Sequence, residues 1–175
     1  TKSTQRISDT VTPVGLYLRF RDRYPNTLLL ESSDYHSKDE SYSFLCLEPI
    51  VSMSIEHHQF IASYRGQEFI NSPVQENFYK LFADFTSIID LDCDVELASF
   101  NGFYGYTTYD SVQYFETIAL HNPPPPSSIP SMQYQFYRFI IVINHFNDEM
   151  TLIENVEEGT ESRIDEINTI IDTQA

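Results

Sequence analysis

At 175 residues and 41% hydrophobic, with 12 Tyr and 13 Phe, the chain is sized and composed for one folded domain that buries a core without metal or disulfide staples. Acidic residues outnumber basic ones 26 to 10, for a formal charge of −16, a field that repels nucleic acid and anionic membrane surfaces. The ten cations are scattered, which argues against chemistry on an anionic substrate within this chain.

Cys46 and Cys93 lie far apart and form no C-x-x-C pair, so they read as free thiols of a reducing compartment. The N-terminus TKSTQRISDT has no apolar signal-peptide core, and no segment approaches the ~18 consecutive apolar residues of a membrane span. A cytoplasmic chain is expected.

In chain order, Thr12-Pro13 has the form of an N-cap followed by proline at the first helical position, so VGLYLRFRDRY predicts a helix ending before Pro25. The alternation of Leu16, Leu18 and Phe20 would also suit a strand. Residues 26–32 predict a strand. The segment from Tyr42 to Glu48 is apolar on both alternations and predicts a central strand. After Pro49, segments 50–57, 59–65 and 67–70 form a meander, its second hairpin closed at Arg65-Gly66-Gln67. Ser72-Pro73-Val74-Gln75 has capping-box form and starts a predicted helix with the stripe Val74, Phe78, Leu81, Phe82, Phe85, Ile88 and Ile89. Long strands are expected at 131–146 and 149–156 around a turn at Asn147-Asp148. Ile164, Ile167 and Ile171 mark a last helix. Strands adjacent in sequence pair through short turns, so the fold class is α+β, an antiparallel sheet with flanking helices.

Familiar catalytic patterns are missing. His57-His58, on opposite faces of a strand, cannot share one ion, and His36, His121 and His145 are isolated. The acidic stretch DLDCDVE, 90–96, lacks the glycine turn and ligand spacing of a calcium loop and reads as a solvated loop. PPPPSSIP, 123–130, reads as a stiff crossover. Two stretches resist such readings. LLLESSD places Glu31 and Ser32 directly at the end of an apolar strand. GFYGYTTYDSVQYFE, 102–116, carries four tyrosines whose hydroxyls need partners, and glycines that in a strand mark close backbone approach.

Taken in order, TPVGLYLRF, LLLESSD, YSFLCLEPI, GFYGYTTYDSVQYFE and PSMQYQFYRFIIVINHFNDEMTLI resemble the N-terminal domain of anthranilate synthase component I. That family shows T-P-V-x-x-Y, L-L-E-S, R-Y-S-F-(I/L)-G-x-(D/E)-P, G-F-x-G-Y-x-x-Y-D-x-x-(R)-x-x-E and P-D-M-x-F-x-x-Y-D-x-x-x-x-x-D-H. The departures are Ser41 for the first arginine, Cys46 for the glycine, Gln113 for the second arginine, and Tyr137-Arg138 for Y-D. The related first component of aminodeoxychorismate synthase shares the fold. Glu31 and the Tyr114-Phe115-Glu116 ending favour the anthranilate enzyme. A free-standing binding or scaffold protein of the same fold is the alternative from another class.

The resemblance implies that residues 1–175 are half of the family's sandwich, lacking the C-terminal chorismate-binding domain. Complete enzymes convert chorismate and ammonia to anthranilate and pyruvate, with Mg2+ held by that domain and ammonia delivered by the glutamine amidotransferase component II. No catalytic, metal or cofactor residue is expected in this chain, which alone should be inactive. It also implies part of the allosteric L-tryptophan site, with Ser32 and Glu31 at the amino-acid head group, Leu30 as wall and Tyr42 as a further lining residue. A lone half is expected to carry an uncovered apolar face and to form a homo-oligomer.

Overall fold

The computed structural model describes residues 1–8, 11–32, 41–74, 77–118 and 129–173. Among them the elements run β1 (Lys2–Ile7), α1 (Pro13–Phe20), β2 (Leu28–Glu31), β3 (Tyr42–Glu56), β4 (Gln59–Tyr64), β5 (Gln67–Pro73) and α2 (Phe78–Thr86). They continue through α3 (Val95–Ala98), β6 (Phe103–Thr107), a 3-10 helix (Tyr109–Tyr114), β7 (Met132–Asn144), β8 (Glu149–Glu154) and α4 (Ile164–Asp172). Strand order is β1-β8-β7-β3-β4-β5, with β2 paired to β3 and β6 to β7. The ladders β1/β8, β2/β3, β3/β4, β4/β5, β6/β7 and β7/β8 are antiparallel, so the fold is α+β as expected. His36, His121, Gln75 and the four prolines at 123–126 lie outside the described residues.

The chain divides into two units, Thr1–Pro49 with Asp92–Gly102 and Tyr137–Ala175, and Ile50–Leu91 with Phe103–Phe136. In the first, α1 forms because Thr12 caps it, its Oγ1 accepting the Gly15 N–H at 3.0 Å, and because Pro13 has no N–H to orphan. Leu16 and Phe20 are buried one helical turn apart while Leu18 is 49% exposed, which disposes of the strand reading. They join Leu45, Leu47, Phe139, Ile141, Leu152, Ile167, Ile170 and Ile171 in one core, where each fully buried aliphatic side chain contributes roughly 1.5–3 kcal/mol. Arg19 of α1 donates to the Ile171 carbonyl at 2.7 Å, a cation placed on the C-terminal carbonyls of α4. The opposite alternation of the same strands, Cys46, Ile140, Val142 and Ile153, is buried too. On that same alternation of β3, Tyr42 and Phe44 are only half-buried.

β1 has no counterpart in the sequence reading. It pairs Lys2 to Glu154 through Ile7 to Glu149 along β8 and is fixed by side chains from α4: Arg6 contacts Asp172 and donates to Asn168 at 2.5 Å. An edge strand gains its place from backbone ladder bonds made to a segment about 150 positions away, so local apolar alternation is not required.

In the second unit, β4 and β5 close at Arg65 and Gly66, both with positive φ (46° and 80°), as a two-residue hairpin turn demands. His57 and His58 turn the preceding hairpin in the same left-handed region. Ser72-Pro73 is not a helix cap. These residues end β5, opposite Phe60 and Gln59, and α2 begins only at Phe78. Proline is tolerated at the close of an edge strand because its missing N–H breaks no inner ladder. Of the predicted stripe, Phe78 and Phe85 of α2 are buried with Phe60, Val51, Met53 and Ile55, Leu81 and Phe82 are half-buried, and Ile88, beyond the helix end, is exposed. Likewise Pro49 does not end a strand: β3 runs through it, with Glu48 at φ 57° absorbing the irregularity.

Gly105 on β6 is the close approach that a strand glycine signals. A Cβ there would lie 1.9 Å from the Gln133 carbonyl oxygen of β7, whereas one on Gly102 would meet nothing within 4 Å. Gly105→Ala is expected to lower stability by about 3 kcal/mol or more in urea unfolding. Gly102→Ala should change it by less than about 0.5 kcal/mol.

Candidate functional site

β2 pairs with β3 alone, so one of its edges has no strand partner among the described residues. The register sets Leu30 opposite Phe44 and Glu31 opposite Ser43, and the Ser32 N–H donates to the Tyr42 carbonyl at 3.2 Å. Strand alternation then gathers Leu30, Ser32, Tyr42 and Phe44 on one face. It sends Leu29, Glu31, Ser43 and Leu45 to the other. The Ser32–Tyr42 bond aims that pair's backbone groups at each other, so the N–H and C=O of Glu31 point to the open edge. Three of the four predicted site residues, Leu30, Ser32 and Tyr42, are thus brought together, whereas Glu31, at the same exposed strand end, turns its side chain to the opposite face.

Phe100 completes the face. Its ring lies 5.3 Å from Tyr42 and 6.3 Å from Phe44, and those two are 6.3 Å apart. The residue follows the short helix α3, anchored by buried Leu97. Asn101 next to it exchanges two amide hydrogen bonds with Asn155, at 2.8 and 2.9 Å. Asn155 also donates to the Tyr137 carbonyl at 2.9 Å. The sequence reading placed a plain loop at 90–96 and offered no signal for Phe100, because contact with Tyr42 spans almost sixty positions. Beside an aromatic wall stand a hydroxyl and an open strand edge, while the Glu31 carboxylate leaves the same strand end on the opposite face. Such a surface suits a small ligand that pairs an aromatic body with a charged, hydrogen-bonding head.

Other sequence candidates resolve as structure. His58 Nδ1 shares a hydrogen bond with the Tyr114 hydroxyl at 3.1 Å, and the Tyr106 hydroxyl donates to the Pro130 carbonyl at 3.1 Å. Asp110 is half-buried in the first turn of the 3-10 helix, whereas its neighbour Ser111 is fully buried and donates to the Ser131 carbonyl at 2.7 Å. Among the described residues no group of three or more His, Cys, Asp or Glu is placed to hold a metal ion. No helix among them is long and apolar enough to cross a membrane.

No protein-family model matches the chain. It is 28% identical over 152 residues to anthranilate synthase component 1 of Leptospira biflexa, covering 86% of this chain and 29% of that protein. It is 26% identical over 150 residues to anthranilate synthase component 1 of Lactococcus lactis subsp. lactis strain IL1403, covering 85% and 31%. The crystal structure of anthranilate synthase component I from Streptococcus pneumoniae TIGR4 superposes with a TM-score of 0.53 at 20% identity, over 98% of this chain and 37% of that one. The chain resembles anthranilate synthase component I in sequence and fold. It spans about 30% of the length of the curated relatives it matches.

One departure from the anthranilate synthase motifs has a visible structural role. Arg138, where the Y-D pattern has its acid, is buried on β7, and its Nε and Nη2 donate to Glu154 Oε1 at 3.1 and 3.0 Å. Glu154, 0% exposed, also accepts from Ser162 Oγ at 2.6 Å and from the Arg163 N–H at 2.8 Å. Arg163 bonds Glu48 at 2.7 Å and Glu166 at 2.8 Å, and the Tyr24 hydroxyl donates to Glu166 at 2.7 Å. Tyr24, Arg163 and Glu166 line an open groove of about 470 Å³ together with Arg23, Thr169 and Ile170. None of the four predicted site residues borders it.

Burial, reinforced by Glu166, pushes the Tyr24 hydroxyl up to about 12. The Arg163 guanidinium, then the Tyr24 hydroxyl, hold the Glu166 carboxyl below its ordinary value. A depressed acid contributes stability above its unfolded pKa, and loses it as pH falls through the lower folded value. Wild type should therefore exceed Glu166→Gln in stability at neutral pH. The margin should shrink as the pH drops below about 4.5, the ordinary value, in acid unfolding followed by circular dichroism.

Proposed function

We propose that this chain is the N-terminal, regulatory domain of anthranilate synthase component I, acting in tryptophan biosynthesis and carrying part of the feedback-inhibition site. The observation that carries this reading is the similarity to anthranilate synthase component 1 across 86% of the chain, centred for function on the strand end LLLESS. The face built by Leu30, Ser32 and Tyr42 supports it, since an indole would lie against Tyr42 and Leu30 while its head group meets the Ser32 hydroxyl. Glu31 is the carboxylate proposed for the ammonium; its side chain starts from the opposite face, so it would reach the head group around the open edge of the strand. A charged pair at a sheet margin loses less to desolvation than one in the core.

The complete enzyme would convert chorismate and ammonia to anthranilate and pyruvate. In this reading a C-terminal chorismate-binding domain, beyond this chain, supplies the chorismate and Mg2+ sites, and the glutamine amidotransferase component II supplies ammonia. The pair of acid and base groups, or the metal centre, that such chemistry uses is assigned to that domain.

Two outcomes are expected. This chain, mixed with chorismate, Mg2+ and ammonium, should produce no anthranilate fluorescence above the protein-free blank. In the complete enzyme, Ser32→Ala should raise the tryptophan concentration for half-inhibition roughly tenfold to a hundredfold, the value of one hydrogen bond to a charged group. Its uninhibited rate should stay near wild type. Inhibition of Ser32→Ala at the wild-type tryptophan concentration would remove Ser32 from the site.

A further inference from the structure

We infer that His145, in the turn between β7 and β8, is a positioning residue for the face that carries Leu30, Ser32 and Tyr42, and that it acts through Ser43. The ligand role of that face rests on the reading proposed above.

His145 grips the start of β3 twice. Its backbone N–H donates to the Ser41 carbonyl at 2.9 Å, and its Nε2 shares a hydrogen bond with Ser43 Oγ at 2.7 Å. Ser43 is 1% exposed, and a buried hydroxyl is costly unless partnered. Its partner is an exposed side chain from a turn about a hundred residues away. Tyr42 lies between the two gripped residues, with its side chain on the opposite face and its carbonyl receiving the Ser32 N–H at 3.2 Å. β2 has only four residues and a single partner strand, so the placement of Ser32 follows that of Tyr42. The path from His145 to the candidate face therefore has three links: ring to Ser43, peptide to Tyr42, and ladder bond to Ser32. No link requires His145 to touch a ligand. Asn144-His145 also falls where the resembling hairpin motif ends in D-H, a position with no role in the site described so far.

The test follows the Ser32 amide by hydrogen exchange on the isotope-labelled chain, with L-tryptophan calorimetry on the same samples. Ser43→Ala and His145→Leu should each speed Ser32 exchange roughly two- to tenfold, the value of one ordinary hydrogen bond. The double variant should be no faster than the faster single one. His145→Gln, which restores a side-chain hydrogen-bonding group, should return exchange toward wild type. The Leu16 amide, bonded to the Thr12 carbonyl in α1, serves as the folding control and should not move. Tryptophan affinity should fall by a similar factor in the same variants and recover in His145→Gln. If wild type binds no tryptophan but Ser32 exchange shifts as stated, the positioning role stands and the ligand reading alone fails. If Ser32 exchange stays at wild-type rate in both single variants, the inference is overturned. It is also overturned if exchange shifts while a measurable tryptophan affinity does not.

Discussion

The buried pair of Arg138 and Glu154 is the interaction on which the first unit most depends. A carboxylate with no solvent exposure persists only because two guanidinium nitrogens, a serine hydroxyl and a backbone N–H converge on it. Removing one member of such a pair typically costs about 3–5 kcal/mol, because a desolvated charge is left behind. The bonds are also distributed. Arg138 belongs to β7 and Glu154 to β8, while Ser162 and Arg163 lie on the approach to α4. Arg163 then reaches Glu48, where β3 takes its left-handed step. One cluster thereby ties three strands and the last helix, and that helix closes the core over Leu45, Leu47, Phe139 and Ile141.

With the core closed in this way, the polar strand end of β2 is carried at the margin rather than inside. Leu29 packs into the core with Leu45, whereas Leu30 is 36% exposed and Glu31 and Ser32 are open. The carboxylate therefore needs no compensating partner within the chain and remains available. A strand with one ladder is the cheapest place to keep unsatisfied groups, since water or a ligand satisfies them equally well. The aromatic wall opposite has the reverse character. Tyr42, Phe44 and Phe100 pack on one another at 5–6 Å, so the apolar half of the face is pre-built by the domain's own packing.

The resemblance to anthranilate synthase component I was legible because its motifs are also folding signals. T-P-V is a helix start, Y-S-F belongs to a central strand, and the second glycine of G-F-x-G-Y is a strand contact that no side chain can enter. The arginine at position 138, the most conspicuous break from the pattern, became understandable only with Glu154 and Glu48 in view. A reversed charge in a core strand is tolerable where acidic partners surround it.

By itself the sequence determined the α+β class, the capped helix α1, the isoleucine-faced helix α4 and the hairpin turns at Arg65-Gly66 and Asn147-Asp148. These features depend on local chemistry: a side-chain cap, a 3.6-residue period, residues that accept positive φ. It also marked the strand end at Glu31 and Ser32 as unusual. Tertiary structure decided the rest. It made a strand of the polar N-terminus, ended β5 at Ser72-Pro73 instead of starting a helix there, and brought Phe100 to Tyr42 and His145 to Ser43. It also set Glu31 and Ser32 on opposite faces of one strand. Each of these outcomes depends on a partner remote in the chain, or on a register that only strand pairing supplies. Local propensity carries no information about either.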